Sequence, residues 1–227
     1  MTDSEPTATQ HAWGLTSSGE TRWPAAIAMA GALLLQFRLP EKLTIGPRWA
    51  LPAVEALVLV TLLIVSPTKF DETSRDVRFV SLGLLALLTG ANATTLALLM
   101  HNLLKSGSSI PGRSLVYSAV SIWLTGVIAY ALWYWEIDRG GPSRRCRSDH
   151  AAPDFWFAQM ENPGVTRTPW TPHFLDYLYV SVTNSSAFSP TDALPLTLRA
   201  KALMSAQSLT SLATIVVVGA RAVNILK

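Results

Sequence analysis

Apolar residues in this chain gather in five long blocks, each bounded by stretches rich in charge, proline or glycine. That arrangement limits the fold more than any other feature. The blocks are Trp23–Phe37, residues 49–65, residues 79–104, residues 115–135 and residues 198–226. The joints include RLPEKLTIGPR, SPTKFDETSRDVR, KSGSSIPGR and EIDRGGPSRRCRSDH. A helix needs about 20 apolar residues to cross roughly 30 Å of hydrocarbon. The third, fourth and fifth blocks meet this length, the second falls a little under it, and the first, WPAAIAMAGALLLQF, is short for it. Trp23, Trp49, Trp133 and Trp135 stand at block edges, where an interfacial aromatic belt would place them. Only 15% of the 227 residues are charged, against about a quarter in soluble domains. The expected class is an all-α integral membrane protein with about five transmembrane helices.

Several functions are disfavoured at this level. The formal net charge of +3 is small and scattered, with no basic run for nucleic acid. The one cysteine, Cys146, excludes an internal disulfide or a Cys-only metal site. CRSDH, with Asp149 and His150, has too few ligands and reads as a solvated loop. No metal or cofactor is expected. Residues 1–22 form a polar tail, and no basic leader precedes the first apolar block, so no secretory signal is evident. H-E-x-x-H, G-x-S-x-G and P-loop patterns are missing, as are paired acids at helical spacing, so an enzyme is not expected.

About 60 residues separate the fourth block from the fifth. Their first part, residues 136–170, is rich in Pro, Gly and Arg and reads as an exposed loop. WTPHFLDYLYVSVTNSSAF follows. Thr171 is a good N-cap, with Pro172 at the first helical position. Phe174, Leu175, Leu178, Val180 and Val182 carry the helix to about Ser186, roughly 22 Å at 1.5 Å per residue. Pro190 ends it. Such a helix crosses only part of a bilayer, and irregular backbone at that depth must be buried in protein or line a wet cavity. The segment therefore reads as a re-entrant helix and loop packed among partner helices.

The order of outer helix, turret, half helix, loop and inner helix resembles the pore module of tetrameric potassium channels. The family's S-V, the acid closing T-V-G-Y-G-D, and the following P-x-T match Ser181, Val182, Asp192, Pro195 and Thr197. Ala187, Phe188, Ser189, Pro190 and Thr191 occupy the T-V-G-Y-G places. The resemblance covers residues 114–227: outer helix 115–135, turret 136–170, pore helix and loop 171–195, inner helix 198–226. Residues 23–113 form a three-helix N-terminal membrane region without such an anchor. They are too few for a four-helix voltage sensor. The resemblance implies a homotetramer in the lipid bilayer of a bacterial-type plasma membrane, with a pore loop running through Ser185, Ser186 and on to Asp192.

The family's filter stacks backbone carbonyls around the ion, and its glycines supply the positive φ that this requires. Here Ser189 and Thr191 replace both glycines, and Pro190 fixes φ between them. A potassium filter is therefore not expected. The path would use hydroxyls of Ser185, Ser186, Ser189 and Thr191, pass another species, or be shut. Two functions stay open: an ion channel without strong potassium preference, and a non-conducting membrane scaffold or sensor that keeps the architecture. The permeant ion is not legible.

Gln207, Ser211, Thr214 and Val218 recur at spacings of four, three and four, so they share a helix face, which Arg221 extends. In a tetramer this face would line a central cavity with arginines at its inner mouth, favouring anions. The alternatives are hydrogen bonding between helices and a snorkelling Arg221. Glu55 is an acid inside an apolar block, a functional candidate or an interfacial residue. Asn92, Thr94, Thr95 and His101 read as packing groups, and Glu136, Asp138 and Arg139 as interfacial charges. With the turret outside, the inner side carries Arg38, Lys42, Arg48, Lys105, Arg113, Arg221 and Lys227, seven of eighteen basic residues. That count does not support the positive-inside rule.

Overall fold

The computed structural model describes residues 20–44, 46–65, 75–104, 111–145, 152–161, 170–188 and 193–225. Helices dominate. In chain order they are α1 (Trp23–Phe37), a 3₁₀ turn (Glu41–Leu43), α2 (Ala50–Val65), α3 (Arg75–Leu104) and α4 (Gly112–Ile137), followed by a 3₁₀ turn (Asp138–Gly140), α5 (Pro142–Arg145), β1 (Phe155–Phe157), α6 (Ala158–Glu161), α7 (Phe174–Ala187), β2 (Ala193–Pro195) and α8 (Leu198–Ile225). Three stretches are long and apolar enough to cross a membrane: Val77–Leu103 in α3, Arg113–Gly140 from α4, and Leu198–Val217 in α8. The apolar helices α1 and α2 are shorter, about 22–24 Å at 1.5 Å per residue.

Helix α4 is the axis of the bundle and packs against α1, α3, α7 and α8. Its second half, from Ala129 to Ile137, is buried almost all round, as expected of a helix apolar on every face. Small residues permit the close approaches. A side chain at Gly126 would meet Asn92 Nδ2 at 3.3 Å, and that amide donates to the Ile122 carbonyl at 3.1 Å. Trp133 Nε1 donates to Thr89 Oγ1 at 2.9 Å. Small residues and cross-helix hydrogen bonds hold helices together where lipid is as apolar as leucine. Leu34, Leu57, Ile64, Phe79 and Leu209 project outward, which suits a membrane setting.

The segment expected as an exposed loop is largely folded into the bundle where it is described. Glu136, Asp138, Arg139 and Arg145 are buried, as are Asp154, Phe155, Phe157 and Met160. Strand β1 pairs antiparallel with β2, with Phe155 opposite Pro195 and Phe157 opposite Ala193. Strand alternation sends Phe155 and Phe157 to one side. There Phe155 meets Tyr134 at 5.1 Å between ring centroids, and Phe157 meets Tyr177 edge-on at 5.6 Å. Burying these rings accounts for the difference from the sequence expectation. Cys146, Asp149 and His150 lie outside the described residues.

The turn after α4 needs unusual backbone. Arg139, Gly140 and Gly141 all have positive φ, and Gly141 reaches 100°. A side chain there would meet the Glu136 carbonyl at 3.1 Å. Gly141→Ala is expected to destabilise the protein by about 1–3 kcal/mol, the range for a residue forced into such a region. Thermal unfolding in detergent checks this; an unchanged midpoint would show that the turn relaxes freely.

Candidate functional site

The half-length helix α7 begins two residues later than Thr171 and Pro172 suggested, with His173 as its N-cap. Asp176 supplies the reason: its carboxylate accepts the His173 N–H at 2.7 Å, the returning half of a capping box. Glu20, just ahead of α1, accepts the Phe174 N–H at 2.7 Å. It also accepts Trp135 Nε1 at 2.9 Å and Arg145 at 3.0 Å. Acids thus accept the N–H groups of His173 and Phe174 at the start of α7, where the helix dipole also favours negative charge.

Hydrogen bonds to both neighbours fix how deep α7 reaches. Near its start, the Tyr177 hydroxyl donates to Asp138 at 2.5 Å, beside the end of α4. One turn further, Ser181 donates to the Val127 carbonyl at 2.7 Å, roughly 16 Å back along α4. On the α8 side, Asn184 donates to the Met204 carbonyl at 3.0 Å and to Gln207 Oε1 at 2.8 Å. Gln207 Nε2 donates to Ser181 Oγ and Ser185 Oγ, each at 2.6 Å, and the Tyr134 hydroxyl donates to Gln207 Oε1. Gln207 lies about 14 Å along α8 from its start. By Ala193 the chain is back beside β1. Helix α7 therefore descends about half the length of its neighbours, and the chain returns to the end it left.

A second polar cluster closes that end of the bundle. Asp138 accepts the Asp154 N–H at 2.7 Å and the Tyr177 hydroxyl. Asp154 is fully buried. It accepts Thr197 Oγ1 at 2.5 Å, Arg199 twice at 2.6 Å, and the Arg139 N–H at 3.3 Å. Arg145 donates to the carbonyls of Trp135 and Asp138 and stacks over the Trp135 and Tyr177 rings at 5.8 and 5.2 Å. Burial opposes its charge, but the facing Tyr177, Glu20 and Asp138 hold its pKa above the ordinary value. Asp138 and Arg139, expected as interfacial charges, are instead buried and cross-linked. Buried charges persist only when paired in this way.

The residues singled out from sequence are distributed unevenly. Ser185 is buried against Gln207, whereas Ser186, Ala187 and Phe188 are exposed at the tip of α7. Phe188 ends the helix in the left-handed region at φ 54°, uncommon for a bulky residue. Ser189, Pro190, Thr191 and Asp192 lie outside the described residues. Gln207, Ser211 and Thr214 are buried within the chain. Ser211 and Thr214 border a small cleft with Trp123, Gly126 and Tyr130 of α4. These three therefore do not line an open face; they join α8 to its own neighbours. Val218 and Arg221 belong to α8, but their side chains lie outside the described residues. The uncovered face of α8 carries Ser205, Leu209, Leu212 and Val216, again at spacings of four, three and four.

Sequence reasoning missed Glu20, Tyr134, Arg145, Asp154, Asn184 and Arg199. Tyr134 and Asn184 did carry a signal, since polar groups at membrane depth must find partners. Among the described residues, no three His, Cys, Asp or Glu side chains are placed to hold a metal ion. Comparisons with protein-family models, curated proteins and solved structures found no match.

Proposed function

We propose that this chain is a pore-loop membrane protein similar to the pore module of potassium channels. Its five apolar helices span the bilayer, α7 is a re-entrant pore helix, and four copies surround one axis. The carrying observation is the path of α7, anchored at mid-depth by Gln207 and followed by a return to β2. On this reading the tip at Ser186, Ala187 and Phe188, which is exposed in the single chain, would end in the apolar layer. Irregular backbone there must be covered by protein or water. Three further copies around an axis supply that cover.

Strong potassium preference is not expected, because Ser189, Pro190 and Thr191 stand where the family has its two glycines. Purified protein in liposomes, under opposed potassium and sodium gradients, checks this. A reversal potential close to zero is expected. A large potassium-selective potential would show that the loop stacks carbonyls after all.

The uncovered face of α8 favours a second reading. Leu209, Leu212 and Val216 are exposed, and in a tetramer they would give the cavity an apolar wall. Hydrophobic constrictions close a path by dewetting. A tetramer with no flux of either ion would support a non-conducting scaffold or sensor.

A further inference from the structure

Glu55 sits in the second turn of α2, within ALPAVEALVLVTLLIV, and is completely buried. Neither carboxylate oxygen has a hydrogen-bond partner. Helix α2 packs against α1 and α3. From α1, Gln36 faces the carboxyl, yet its buried Nε2 also lacks a hydrogen bond of ordinary geometry. From α3, no titratable or charged group acts on Glu55 among the described residues. An ionised carboxylate in such surroundings has nothing to offset its lost hydration, whereas the neutral acid carries a much smaller penalty.

Gln36 also borders a cavity of about 310 Å³ between α1, α2 and α3. Its polar lining is Thr44, Arg48, Thr94 and Thr95. Liquid water takes about 30 Å³ per molecule, so several waters fit. Arg48 is exposed at the α1–α2 joint. The cavity thus links that surface to Gln36, and Gln36 faces the acid. Thr94 and Thr95 donate their hydroxyls to carbonyls of their own helix, leaving oxygen lone pairs for water.

We propose that Glu55 is a proton-binding site inside the membrane region, loaded and emptied through the Gln36-lined cavity from the α1–α2 joint. The ligand is a proton, and no covalent step is involved. Buried without a partner, the carboxyl holds its proton, and base that reaches the cavity takes it. This site is independent of the proposed pore and does not rest on it.

Infrared difference spectroscopy of the full chain in lipid bilayers tests the proposal. The wild type should show a protonated-carboxyl band near neutral pH that disappears reversibly on going alkaline. Glu55→Gln should remove the band and Glu55→Asp should shift it, so one variant still reports if the other fails to fold. Gln36→Leu removes the one polar group facing the acid, and the band should then persist to higher pH. The proposal is overturned by an absent band at neutral pH, by a band unaffected in both Glu55 variants, or by a band that does not respond to pH. A wild-type pH profile in Gln36→Leu would likewise overturn the assignment of Gln36 as the polar group facing the acid, and an unchanged rate of proton exchange in that variant would overturn the route.

Discussion

Asp138→Ala is expected to cost about 3–5 kcal/mol, the range for breaking a buried charge pair, and to release the end of the bundle where α7 begins. Asp138 is fully buried and accepts the Asp154 N–H, the Phe155 N–H and the Tyr177 hydroxyl. Removing it leaves those donors dry and takes a negative charge from beside the buried Arg139 and Arg145. Tyr177→Phe deletes only one hydroxyl and should cost about 1–3 kcal/mol. The two residues touch, so the double variant should cost less than the sum. Thermal unfolding of the three variants in detergent measures this. A loss for Asp138→Ala within about 0.5 kcal/mol of wild type, the scale of ordinary surface changes, would mean that the cluster is solvated rather than buried.

Gln207→Leu is expected to have the second large effect. It keeps the apolar bulk but leaves Tyr134, Asn184, Ser181 and Ser185 without their common partner. Cross-helix hydrogen bonds in a membrane average about 0.6 kcal/mol by double-mutant cycles. Four of them together make a loss of about 2–3 kcal/mol at that scale. The functional consequence should be sharper than the loss of stability, because Gln207 sets the depth of α7. In a Cys146→Ser background, Ser186→Cys reports the position of the α7 tip through its rate of reaction with a water-soluble thiol reagent. That rate should change several-fold when Gln207→Leu is added. An unchanged rate would mean that other contacts hold α7 in place.

Much of the fold was legible because hydrogen-bonded helices must fill apolar blocks in a bilayer. Trp23–Phe37 is α1 to the residue, and the half-length helix is present as Phe174–Ala187. Boundaries drifted where helix outruns hydrophobicity. Helix α3 begins at Arg75, ahead of the apolar block that starts at residue 79, since backbone hydrogen bonding does not stop at the edge of the apolar run. The polar anchors were harder. Glu20, Asp138, Arg145 and Asp154 look like solvent-facing charges in the sequence, and only long-range pairing makes their burial tolerable. The β1–β2 pair joins residues far apart in the chain, and three-residue strands carry almost no periodicity of their own. The aromatic alternation in FWF was the available hint.

The Gln207 face of α8 illustrates a different limit. A polar stripe at helical spacing fits a wet cavity and a buried hydrogen-bond network equally well, because both require partners for the same groups. Helix α7 decides between them. Its Ser181, Asn184 and Ser185 meet Gln207 inside one chain, while Leu209, Leu212 and Val216 remain uncovered.

The proposed architecture is tested most directly by a density map of the purified assembly in lipid, taken with its mass. Four copies should surround one axis, with the Phe188 ends of α7 converging on it and the Leu209, Leu212 and Val216 face of α8 lining the space below. A monodisperse monomer or dimer, or a map in which the α7 tip faces lipid, would contradict the pore-loop reading.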